Sequence, residues 1–126
     1  MEKMLRLAEG EYRFASLVWE NEPLSSGQLV RLAADALGWK KSTTYTVLKK
    51  LCERGILCNE DGTVTALVKQ SAVQQQESTA VVDRTFGGSL PRFVAAFLNE
   101  KPITKAEAAE IRAILDAART EQEDGQ

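Results

Sequence analysis

The side chains of this 126-residue sequence that are best placed to do chemistry lie in one segment. It runs Trp39-Lys40-Lys41-Ser42-Thr43-Thr44-Tyr45-Thr46-Val47-Leu48-Lys49-Lys50-Leu51, with Arg54 just beyond. The chemistry they suit is recognition of a polyanion. Ser42, Thr43 and Thr46 carry short hydroxyls that reach base edges or backbone, and threonine methyls can meet thymine methyls. Tyr45 adds a flat apolar surface tipped with a hydroxyl. Lys40, Lys41, Lys49, Lys50 and Arg54 can neutralise phosphates. Only Glu53 opposes them, so residues 39–54 carry a net +4 in about four helical turns. A lysine-rich helix face is more often plain solvated surface, so the flanking elements must decide between the two readings.

Catalysis finds little support. The chain has no histidine, which removes the commonest general base and the commonest metal ligand. Two cysteines, Cys52 and Cys58, cannot alone complete a tetrahedral zinc site or a disulfide framework. They read as reduced, buried small hydrophobes. Glu107, Glu110 and Asp116 look like a helix cap and a solvated face, and Gly87-Gly88 lacks the Gly-Lys-Ser/Thr of a phosphate loop. The expectation is no enzyme, no cofactor and no metal. The overall charge of -2 speaks against binding nucleic acid by bulk charge. Its distribution says more: residues 1–70 are net +1 and residues 71–126 net -3. No stretch approaches the ~20 apolar residues of a spanning helix, and no export signal is visible, so a cytoplasmic protein without membrane insertion is expected.

The elements around the basic segment have a recognisable order. Leu7, Phe14, Leu17 and Val18 repeat at helical spacing from about Ala8 to Glu20, ended by Asn21-Glu22-Pro23. Ser25 with Gln28 forms a capping box, Leu24 with Leu29 a hydrophobic staple, and Gly38 closes that second helix near Leu37. A third helix follows from Lys41 to Arg54. Its Thr44, Val47, Leu48 and Leu51 face a core, and Ser42, Tyr45, Thr46, Lys49 and Glu53 face away. Gly55 ends it. Ile56-Leu57-Cys58 and Thr63–Leu67 are β-favouring runs joined by Asn59-Glu60-Asp61-Gly62, a strong hairpin signal. Helix, tight turn, helix and hairpin make a winged helix-turn-helix, assigned to residues 1–68. The expected fold is thus mainly α with a small β-hairpin, followed by a helical dimerisation arm over residues 69–120 and a flexible tail at 121–126.

In that arm, Ser71 to Phe86 reads as a helix stopped by Gly87-Gly88, and Leu90 to Leu98 as a short one. Thr104 with Glu107 caps a last helix reaching Ala118. These helices are too few to bury their apolar faces alone, so a second copy is expected to cover them. Trp19 and Trp39 adjoin apolar helix faces and read as packing groups.

Three stretches, Leu7-Ala8-Glu9-Gly10-Glu11, Leu17-Val18-Trp19 and Trp39 through Leu51, resemble the penicillinase-repressor (BlaI/MecI/CopY) family of bacterial transcription regulators. The family pattern in the last stretch is Trp-Ser-x-x-Thr-Val-x-Thr-Leu-Leu-x-Arg-Leu. Trp39, Thr43, Thr46, Leu48 and Leu51 agree with it, and Val47 and Lys50 are conservative replacements. Phe86-Gly87-Gly88-Ser89-Leu90, Phe97-Leu98 and the Thr104–Leu115 helix are similar to the family's dimerisation part, so the resemblance runs in order along nearly the whole chain. It implies a homodimeric repressor on a near-palindromic DNA operator, with Lys40, Ser42, Thr43, Thr46 and Lys50 as contacts. In the penicillinase branch a sensor membrane protease cuts the repressor at an Asn–Phe bond. Ala96-Phe97 is the nearest counterpart here, with alanine where the family has asparagine. In the copper-responsive branch a C-terminal cysteine cluster binds metal, and this chain has no cysteine after Cys58. The reading from another class is a protein-interaction winged helix that offers its basic face to an acidic partner.

Overall fold

The computed structural model describes residues 5–119. The expected tail at 121–126 lies outside them. In chain order the elements are α1 (Glu9–Asn21), β1 (Leu24–Ser25), α2 (Ser26–Leu37), α3 (Lys41–Glu53), β2 (Leu57–Glu60), β3 (Thr63–Ala66), α4 (Gln70–Phe86), α5 (Leu90–Glu100) and α6 (Lys105–Ala118). The chain divides into two compact units, Met1–Val81 and Val82–Gln126, with the division inside α4.

Local chemistry sets the boundaries in the first unit. The Glu11 carboxylate accepts from the Ala8 N–H at 2.9 Å and so closes the start of α1. Ser25 Oγ accepts from the Gln28 N–H at 3.0 Å while Gln28 Oε1 accepts from the Ser25 N–H at 2.8 Å, the reciprocal box expected for α2. At the other end of α2, Gly38 takes φ 71°, which a side chain would resist. Its N–H donates to the Ala34 carbonyl and that of Trp39 to the Ala33 carbonyl, so the helix stops abruptly and α3 starts three residues later.

The strands form a three-stranded antiparallel sheet in the order β1-β3-β2. The sequence pointed only to the β2–β3 hairpin. The third strand is the two-residue β1, whose Leu24 and Ser25 pair with Val64 and Thr63. In the hairpin, Leu57, Cys58, Asn59 and Glu60 pair with Ala66, Thr65, Val64 and Thr63. Asp61 and Gly62, at φ 53° and 87°, make the expected tight turn. Ile56 was expected in the strand and stands outside it. Its N–H donates to the Leu51 carbonyl at 3.0 Å and so closes the end of α3, while its carbonyl accepts from the Leu67 N–H at 2.8 Å just beyond the last ladder pair.

The core of this unit draws on every element up to β3. Phe14 and Val18 from α1, Leu29 and Ala33 from α2, Leu48 and Leu51 from α3, and Ile56, Leu57 and Val64 pack as one cluster. Leu24 joins it from β1. Each fully buried aliphatic side chain contributes about 1.5–3 kcal/mol, enough to hold α3 by its inner face while its outer face stays free. Trp39 stacks on Phe14 at 5.3 Å, and Trp19 Nε1 donates to the Val68 carbonyl at 3.0 Å, so both tryptophans are packing groups.

The second unit comprises the end of α4, α5 and α6. Phe86 meets Phe93 edge-on at 5.5 Å. Ser89 caps α5 through the Arg92 N–H, and Thr104 with Glu107 forms the second capping box at 3.0 Å in each direction. Neither α5 nor α6 contains a buried residue.

Candidate nucleic-acid interface

α3 presents two chemically different faces because its apolar residues recur with the helical period. Thr44, Leu48 and Leu51 are buried and Val47 half-buried. Thr44 is tolerated there because its hydroxyl donates to the Lys40 carbonyl at 3.1 Å. The other face holds Lys41, Ser42, Thr43, Tyr45, Thr46, Lys49, Lys50 and Glu53, all exposed, with exposed Lys40 preceding it. Ser42, Thr46, Lys49 and Glu53 lie three or four residues apart and so form one strip along the helix.

Partners divide the nine residues read from the sequence. Among the described residues, the side chains of Lys40, Lys41, Ser42, Thr43, Thr46 and Lys49 make no hydrogen bond or ion pair, so their donors and charges face solvent. Tyr45 donates its hydroxyl to Ser26 Oγ at 3.2 Å, and the Ser26 N–H donates to the Gly62 carbonyl at 2.8 Å. Tyr45 is thereby tied to the first turn of α2 and, through it, to the β2–β3 turn. Lys50 and Arg54 point elsewhere. Both reach Glu11 of α1, at 2.8 Å and 3.3 Å, and Arg54 also donates to the Arg6 carbonyl. Lys50 keeps 60% of its side chain exposed, whereas Arg54 is down to 26%. No side chain caps α3, because Lys40 occupies the cap position. A missing cap costs about 1 kcal/mol and leaves the first-turn N–H groups open to an anion.

Glu11, Ser26 and β1 escaped the sequence reading. Glu11 lies in the first turn of α1, and nothing local shows that its partners Lys50 and Arg54 sit 39 and 43 residues on. Burial by itself would raise the Glu11 carboxyl. The hydrogen bonds from Lys50 and the Ala8 N–H, with the charges of Lys50 and Arg54, outweigh burial and hold it below its usual value of 4.5. A carboxyl with a lowered folded-state pKa stabilises above the unfolded value and loses that contribution as pH falls through the folded one. Glu11→Gln is therefore expected to cost about 1 kcal/mol at neutral pH. Thermal unfolding between pH 7 and pH 3 checks this: the gap between the parent and the variant should close below about pH 4.5.

The tip of the hairpin carries exposed Glu60 and Asp61. Cys52 and Cys58 are free and half-buried. Burial first, and then the neighbouring Cys58, pushes the Cys52 thiol up, which keeps it protonated. Among the described residues no three Cys, Asp or Glu side chains converge to hold a metal ion, and no helix is long and apolar enough to cross a membrane.

The Ala96–Phe97 bond lies within α5, with both residues exposed. Phe97 belongs to an apolar stripe of Leu90, Val94, Phe97 and Leu98, and α6 carries a second one of Ile111, Ile114 and Leu115. All seven are exposed, with Ile114 at 64%. Among the described residues nothing covers these stripes, and exposed apolar patches of this kind are characteristic of interaction surfaces.

Over residues 7–117 the chain matches the family model described as penicillinase repressor. It is 22% identical to the penicillinase repressor of Bacillus licheniformis, covering 92% of this chain and 94% of that protein. It is 19% identical to the methicillin resistance regulatory protein MecI of Staphylococcus aureus strain N315 and to that of Staphylococcus epidermidis, each over 90% of this chain and 96% of the relative.

Proposed function

Since the chain belongs to the penicillinase-repressor family of transcription regulators, which are not enzymes, we propose that it is a homodimeric repressor reading a near-palindromic operator with α3. The observation that carries this reading is the division of labour on α3. Ser42, Thr43 and Thr46 are exposed and unclaimed, and Lys40, Lys41 and Lys49 flank them with uncompensated charge. Short hydroxyls facing base edges with cations to either side is what major-groove reading requires. Tyr45, anchored on Ser26, lines the edge of this face. Lys50 adds a phosphate contact from its exposed ammonium while keeping hold of Glu11, and Arg54 serves mainly to brace α3 against α1. The acidic hairpin tip stays back from the phosphates, so the helix carries most of the contact.

The two exposed stripes on α5 and α6, which a second copy would bury, support the homodimer. On this reading the domains are residues 1–68 for DNA, 69–120 for dimerisation and 121–126 as a tail, in a cytoplasmic protein. A sensor membrane protease acting at Ala96-Phe97 would have to unwind α5 first, because the bond is helical.

Equilibrium binding to the operator and to random duplex, across a range of salt concentrations, tests the reading. Thr46→Ala should bring the two affinities closer by about 1–3 kcal/mol for the base concerned and leave the salt slope unchanged. An unchanged preference for the operator in Thr46→Ala would remove Thr46 from base reading. Binding without sequence preference by the parent chain would favour the acidic-partner reading instead.

A further inference from the structure

A half-open cavity of about 450 Å³ lies between the start of α1 and the first half of α4, wholly within the first unit. Nothing in the DNA-binding reading uses it. Leu7, Tyr12 and Val73 supply its apolar wall, and Glu9, Gln74, Glu77 and Ser78 its polar groups. The volume falls in the range of small-molecule sites, about 300–1,000 Å³, which combine apolar walls with a few polar groups.

The polar groups are one-sided. Among the described residues, no lysine or arginine lines the cavity. Glu9 and Glu77 are exposed, and among the described residues neither makes an ion pair. Gln70 and Gln74 both turn their amide N–H groups onto the Tyr12 hydroxyl oxygen, at 2.9 Å and 3.3 Å. That orientation leaves the Gln74 side-chain carbonyl free to accept. Tyr12 is held from behind by Trp19, 5.5 Å away, so its ring is a fixed wall. The cavity therefore offers a mainly apolar lining, an aromatic ring that attracts cations, and two exposed carboxylate-bearing residues, Glu9 and Glu77, among those that border it. An anionic ligand would meet two like charges with no lining cation among the described residues to offset them.

From this charge complementarity we propose that the cavity binds a small hydrophobic amine. An aromatic or branched apolar body lies against Leu7, Tyr12 and Val73, and the protonated amine is held by Glu9 and Glu77. Binding here does not depend on whether α3 reads DNA.

Three probes sharing one ring separate charge from shape: tryptamine, the neutral tryptophol and the anionic indole-3-propionate. Each is titrated into the full chain by calorimetry and by amide chemical-shift mapping. Tryptamine is expected to bind about tenfold or more tighter than indole-3-propionate, with tryptophol between them. Its shifts should cluster at residues 7–12 and 73–78. The double variant E9Q/E77Q should bring the three affinities within about twofold of one another. Its unfolding midpoint and operator affinity should match the parent's. The proposal is overturned by equal affinities in the parent chain, by tryptamine shifts centred on α5 or α6, by a charge preference that survives in E9Q/E77Q, or by no saturable binding of tryptamine.

Discussion

Replacing Lys40, Lys41 and Lys49 together by alanine should lower operator affinity at physiological salt by about three orders of magnitude or more. In a dimer the triple change removes the same charges from two α3 helices. Each phosphate neutralised contributes about 0.9 to the slope of log affinity against log salt, so the slope should become shallower by about 5. Fold and stability should hardly change, because all three side chains are exposed and none has a partner among the described residues. Lys50→Ala should behave differently. Its ammonium already sits 2.8 Å from Glu11, so it has less counterion to release on DNA. Its loss should cost stability as well as affinity. Fluorescence anisotropy at several salt concentrations, with thermal unfolding alongside, distinguishes the two. An unchanged slope in the triple variant would exclude these lysines from phosphate contact.

The second large effect concerns the arm. Phe97→Glu with Ile114→Glu should convert a dimer into a folded monomer and weaken binding to the full operator by at least about a hundredfold. Both positions are exposed in the single chain, 49% and 64%, so a charge there costs the isolated fold little. In an interface the same charge would be buried without a partner, which costs several kcal/mol per site. Affinity for an isolated half-site should stay within about twofold of the parent, since each α3 is intact and only the linkage of two readers is lost. Light scattering coupled to size separation reads the mass directly. A double variant that still forms dimers would place the self-association surface elsewhere.

Sequence and structure agree most closely where structure is local. The Ser25–Gln28 and Thr104–Glu107 boxes, Gly38 and the Asp61-Gly62 turn each satisfy backbone groups within a few residues, and all are present. The amphipathic spacing of Thr44, Leu48 and Leu51 likewise oriented α3 before any contact was known. What escaped notice is non-local. Leu24 was read as a staple residue beside Leu29. It does enter the core, but as part of β1, paired with Val64 far along the chain. A two-residue strand has no periodicity of its own to betray it. The charge of Lys50 and Arg54 is visible in the sequence, but their shared partner Glu11 on α1 is not. The cavity beside Tyr12 was invisible for the same reason, since it needs α1 and α4 side by side.

The two tryptophans have a practical use that follows from their packing. Trp39 stacks on Phe14 two residues before Lys41, where α3 begins. Trp19 packs against Tyr12, which lines the cavity, and is bonded to the Val68 carbonyl. Indole emission responds to its immediate surroundings, and these are the only two indoles in the sequence. The chain thus carries one native optical reporter near each of the two proposed sites. In a Trp19→Phe background, fluorescence follows events at α3. In a Trp39→Phe background, it follows occupancy between α1 and α4, with no label attached.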